Sequence, residues 1–74
     1  MLTTKISFVV PDASTVIMNV YDAKGNLVAT PVNEDKPAGV YNVNFNATSL
    51  PRGNYSYNVV TGSIVKTKQL VLGN

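Results

Sequence analysis

Seventy-four residues are enough for one domain, and a chain of that length buries only about 60% of the surface its unfolded form exposes, so a single thin core is expected. The chain has no cysteine and no histidine, which removes disulfide frameworks, thiolate zinc sites, the imidazole general base and the Ser-His and Cys-His nucleophile pairs together. Six basic residues against four acidic ones leave a net charge of +2, but only 14% of positions are charged, and Lys5, Lys24, Lys36 and Arg52 are scattered singly, which argues against a nucleic-acid face.

Asn, Thr and Ser carry the polar load instead, as in exported bacterial β-domains. No run approaches the roughly 18 apolar residues of a membrane span, and Met1 to Thr4 do not form a signal peptide. If the domain is exported, its address lies elsewhere in the full gene or within the domain.

Period-2 alternation dominates the chain from the start. The first strand, Lys5 to Val10, sets Ile6, Phe8 and Val10 on one face and ends at Pro11, which cannot donate to a ladder. The second, Thr15 to Tyr21, directs Val16, Met18 and Val20 to one side. Asp22-Ala23-Lys24-Gly25 reads as a tight hairpin connection, with Gly25 left-handed after a type I turn, and Asn26 to Thr30 returns antiparallel. Pro31 to Pro37 is the least regular segment, and its Asn33-Glu34-Asp35-Lys36 centre is expected to be a solvent-exposed loop between sheets.

Gly39 begins a fourth strand in which Tyr41, Val43 and Phe45 alternate with Asn42, Asn44 and Asn46. Leu50-Pro51-Arg52-Gly53 makes a corner, and Asn54 to Thr61 repeats the design with Tyr55, Tyr57 and Val59 facing in. Gly62-Ser63 turns the chain into a last strand, Ile64 to Leu72, where Leu70-Val71-Leu72 is apolar on both parities; a bulge or cover on both sides would each account for that.

Six short strands with regular turn signals predict an all-β, antiparallel β-sandwich of immunoglobulin or fibronectin III type, spanning residues 1–74 as one domain. Such sandwiches usually have about seven strands. The deficit fits either a short edge or a further strand upstream of Met1; an open edge is a template for another chain, and self-association or a partner strand is expected near the N-terminal strand.

Lys5 to Pro11 followed by Val20-Tyr21-Asp22-Ala23-Lys24-Gly25, Ala38-Gly39-Val40-Tyr41, Leu50-Pro51-Arg52-Gly53-Asn54-Tyr55, Gly62 and Thr67 to Leu72 together resemble the C-terminal sorting domain of type IX secretion cargo. The same pattern also resembles the immunoglobulin-like domain of flagellar hook-capping proteins. The resemblance covers essentially the whole chain and rests on order and spacing rather than on any one piece.

The first resemblance implies a non-catalytic address at the C-terminus of Bacteroidetes enzymes and adhesins. By that resemblance a further segment precedes Met1, an upstream cargo domain passes through the periplasm, and the outer-membrane translocon and a sortase are the partners. The destination is the cell surface or the medium. The residues read by that machinery would be Lys66, Thr67, Lys68, Gln69, Leu70, Val71 and Leu72, because a final exposed strand offers main-chain groups for strand addition. The second resemblance implies a structural accessory domain or spacer.

Other signals have plainer readings. Tyr41, Tyr55 and Tyr57 fall on the apolar parity and are assigned to core or corner packing rather than to a sugar platform, whereas Tyr21 has the opposite parity and is expected to be exposed. Glu34 and Asp35, even joined by Asp12, fall short of the 6 to 8 oxygens calcium takes. Asn46-Ala47-Thr48 matches a glycosylation sequon but reads as a turn. Lys66 and Lys68 equally serve to keep an edge strand from aggregating. No enzyme activity, cofactor or metal is expected.

Overall fold

The alternation of apolar and polar residues becomes six strands: β1 (Thr3–Val10), β2 (Ser14–Tyr21), β3 (Leu27–Lys36), β4 (Gly39–Asn46), β5 (Gly53–Thr61) and β6 (Ile64–Leu72). They belong to a computed structural model that describes residues 3–73. Met1 and Leu2, read above with Thr3 and Thr4 as no signal peptide, and Asn74 lie outside the described residues.

The strands form two antiparallel sheets, a four-stranded one in the order β3-β2-β5-β6 and a two-stranded one of β1 and β4. Their facing sides hold the core: Ile6, Phe8 and Val10 from β1, Val16, Met18 and Val20 from β2, and Tyr55 and Val59 from β5 are all buried. Burial follows the period of the strand, so each apolar parity in β1 and β2 is a core parity.

The Asp22–Gly25 connection forms as expected. Gly25 N–H donates to the Asp22 carbonyl at 3.0 Å, Asp22 N–H donates to the Asn26 carbonyl at 2.9 Å, and Gly25 has φ +88°, the left-handed residue that closes a type I turn. At the other tight hairpin Gly62 has φ +61° while Ser63 is not left-handed, the pattern of a II′ turn with glycine first. Asn46 Oδ1 accepts from both the N–H and the hydroxyl of Thr48, at 3.0 and 2.6 Å, so the sequon-like triplet is a side-chain-capped turn.

One expectation is corrected. The segment from Pro31 to Pro37 is not a loop: β3 runs on to Lys36, with Val32, Asn33, Glu34 and Asp35 opposite Met18, Ile17, Val16 and Thr15. Two features let a proline sit inside it. β3 is an edge strand, and the register slips so that Thr30 and Pro31 together oppose Asn19, a bulge where no ladder donor is needed. A second slip, at Val28, lies next to the hairpin.

Tyr21 is half-buried rather than free. On the outer face of the large sheet its hydroxyl accepts from Asn58 at 3.5 Å, Asn58 accepts from Asn19 at 3.2 Å, and Asn19 accepts from Thr30 at 3.1 Å, a polar row across three strands.

Candidate functional site

The last strand contains every residue singled out for recognition. β6 pairs only with β5, and the register is unbroken from Gly53 opposite Leu72 to Thr61 opposite Ile64. Neither explanation offered for Leu70-Val71-Leu72 therefore holds. There is no bulge, and Val71 is not covered on its own side: it is 71% exposed, while Leu72 is 4% exposed on the core side.

The two sides of β6 differ. Thr67, Gln69 and Val71 lie opposite Asn58, Ser56 and Asn54 on the wet outer face. Lys66, Lys68, Leu70 and Leu72 lie opposite Val59, Tyr57, Tyr55 and Gly53, on the parity that faces the second sheet. Leu70 and Leu72 are buried there, but Lys66 and Lys68 are exposed, because the two-stranded sheet does not reach over that end of β6. Counting back by two from Leu72 would have found this from the sequence: a row that starts as core and turns into lysine marks where the cover stops.

The two edges of the large sheet are not equivalent. β3 carries two register slips, Pro31 and the charges Glu34, Asp35 and Lys36, all of which discourage a further strand. β6 offers nine residues with no proline and no slip.

The remaining polar groups are used structurally. Glu34 pairs with Lys36 at 3.0 Å, and Lys36 Nζ also sits 4.6 Å from the centre of the Tyr41 ring. Asp35 accepts from the Thr15 hydroxyl at 2.6 Å and, being next along the strand, points to the opposite face from Glu34. Asp12 belongs to the turn after β1, where its carbonyl accepts from Ser14. Among the described residues no group of three potential ligating side chains gathers. The carboxyl of Asp22 is held below the usual carboxylate range, chiefly by the N–H of Asn26, within the turn that joins β2 to β3.

Two tyrosines show a feature the sequence reading did not resolve. Tyr41 donates to the carbonyl of Pro37 at 2.6 Å and Tyr55 to that of Pro51 at 2.8 Å. Pro37-Ala38-Gly39-Val40-Tyr41 and Pro51-Arg52-Gly53-Asn54-Tyr55 share one spacing, proline, glycine and tyrosine at alternate positions, and each leads into a strand. That repeat was the available signal.

Two facing antiparallel sheets, with tyrosines tied back to the turns ahead of β4 and β5, define an immunoglobulin-like β-sandwich. Residues 3–70 match the family model of the FlgD Ig-like domain, and the chain belongs to that family. Domains of this kind are typically non-catalytic. The match agrees with the hook-capping resemblance and names no sorting domain. No curated protein and no solved structure matches the chain.

Proposed function

We propose that this chain is a non-catalytic recognition module that directs a larger cargo protein across the outer membrane by type IX secretion, with Lys66, Thr67, Lys68, Gln69, Leu70, Val71 and Leu72 as the strand that is read. The observation that carries this reading is the contrast between the two edges of the large sheet: β6 is long, regular and exposed from Ile64 to Gln69, whereas β3 is interrupted. An unpaired regular edge supplies the main-chain groups for strand addition, and Thr67, Gln69 and Val71 supply side chains at alternate positions. In this reading the partners are the outer-membrane translocon, a sortase and an upstream cargo domain, and the route runs through the periplasm to the surface or the medium.

The family match favours a second reading, a structural Ig-like accessory domain or spacer beside a neighbouring domain. One experiment separates the two. The chain is fused to the C-terminus of a periplasmic reporter in a type IX-competent bacterium, beside a Lys66→Glu/Lys68→Glu variant and a deletion of residues 66–74. The deletion also removes buried Leu70 and Leu72, so the charge variant is the folded control. Export of the intact fusion alone supports sorting by β6. Retention of the intact fusion in the periplasm leaves the spacer reading, and export of all three places the address outside this strand.

A further inference from the structure

The large sheet is four strands wide and the small one two, so one margin of the sandwich lacks cover. A groove of about 160 Å³ lies along it, with Phe8 and Val9 of β1 on one bank, Tyr57 and Val59 in the floor, and Lys66 and Lys68 on the other bank. Three properties of this groove belong together.

First, β1 is paired on one side only, with β4. In an antiparallel pair the main-chain groups of successive residues point alternately toward and away from the partner, so about half of those on β1 face the groove side unpaired. Second, part of the lining is apolar and wet: Ile64 is 42% exposed and Tyr57 is half-buried beside buried Phe8 and Val59. Third, Lys66 and Lys68 occupy core-parity positions on β6, and neither pairs with a carboxylate among the described residues, where the ion pair is Lys36 with Glu34.

We propose that this groove accepts a strand from a partner protein: an extended segment pairs with the free edge of β1 as a third strand of the small sheet. On its inward parity the segment carries apolar side chains over Tyr57 and Val59 and acidic ones against Lys66 and Lys68. The charge of the bank selects this occupant over a second copy of the chain. β1 and β6 contain no acid, and all four acidic residues, Asp12, Asp22, Glu34 and Asp35, lie in turns or on β3. A two-fold pairing of β1 with β1 would extend both sheets and set one pair of lysines beside the other, which like charges oppose. The groove uses the inner side of β6 and the free edge of β1 rather than the outer edge of β6; it shares Lys66 and Lys68 with the strand proposed above, and it holds whether the module is an address or a spacer.

The test is a titration of the isotopically labelled chain with two synthetic nine-residue peptides, followed by amide chemical shifts. In one, threonine alternates with valine and glutamate; in the other, lysine replaces each glutamate. Shifts are expected at Phe8, Val9, Tyr57, Lys66 and Lys68. The glutamate peptide is expected to bind about tenfold tighter at low salt, the scale of two ion pairs, and most of that advantage should vanish at about 0.5 M salt. Lys66→Glu/Lys68→Glu, which changes only exposed side chains, should reverse the preference. Equal binding of both peptides, shifts confined to β3 or to Thr67, Gln69 and Val71, or no shift at all would each overturn the proposal. The same shifts on raising protein concentration without peptide would overturn it by giving the groove to a second copy.

Discussion

The hydroxyl of Tyr55 donates to the carbonyl of Pro51, four residues upstream, over 2.8 Å, which ties the start of β5 to the turn that delivers it. Pro51 has no N–H to offer a ladder, and its carbonyl accepts from the hydroxyl of a tyrosine that is itself 6% exposed and packed in the core. Tyr55→Phe keeps the ring and loses the bond, so a loss of about 1 kcal/mol is expected, a fall of about 4–8 °C in Tm for a domain of this size. Tyr41→Phe should cost less, because the bond from Tyr41 to Pro37 is exposed and water can replace it. Thermal unfolding followed by circular dichroism measures both, and equal losses would contradict the ranking.

Leu72 and Val71 are neighbours with opposite fates. Leu72→Ala removes a side chain that is 4% exposed and should cost about 2–5 kcal/mol. Val71→Thr changes a side chain on the outer face and should stay within about 0.5 kcal/mol of the parent. Urea unfolding distinguishes the two, and comparable losses would show that both sides of the strand are covered.

Met18 has no exposed surface and lies at the centre of the large sheet, between β3 and β5. Met18→Ala should cost about 2–5 kcal/mol. A domain of this length has a margin of the same order, so the variant is expected to be substantially unfolded at 25 °C by amide shift dispersion.

Gly25 has φ +88° and nothing within 4 Å of where a side chain would begin, so a substitution there tests backbone conformation alone. Gly25→Ala should destabilise by about 1 kcal/mol, and Gly25→Asn by less, because asparagine tolerates the left-handed region. If the alanine variant matched the parent in urea, the turn would have to adopt another form.

Asp22 supplies the pH dependence. Its carboxylate accepts N–H bonds from Asn26 and Lys24, both at 2.9 Å, and the folded state holds its pKa below the ordinary value, first through the Asn26 N–H. The group titrates lower when folded, so its contribution is present above the unfolded pKa and is lost as pH falls through the folded one. Stability should therefore fall on acidification, and Asp22→Asn should flatten that slope while keeping an acceptor oxygen. Unfolding midpoints across the carboxylate range, compared for parent and variant, would show parallel curves if Asp22 plays no part.

Local chemistry was legible wherever a residue acts through its own position. The parity of Ile6, Phe8 and Val10, the left-handed Gly25 and the capped turn at Asn46 all follow from period-2 alternation or from turn geometry, and each is present. The C-terminal half of β3 looks like a loop in the sequence because Pro31 and three charges are loop signals. An edge position and a bulge remove the need for the proline's missing N–H, and neither can be seen without the partner strand. The last strand has the bounds its turn signals predict, Ile64 to Leu72, but its apolar triplet reflects neither a bulge nor double cover: Val71 faces water across from Asn54.

By itself, the sequence determined a sandwich of six alternating strands and, through the absence of histidine and cysteine, excluded imidazole and thiol chemistry. Only the tertiary structure decided which strands lie opposite which. Sheet order depends on pairings between residues far apart in the chain, Thr3 with Asn46 and Val16 with Thr61 among them, whose contacts local periodicity does not encode. That order leaves β1 with one free edge and stops the smaller sheet short of Lys66 and Lys68, so that these two neighbouring lysines become one bank of a groove.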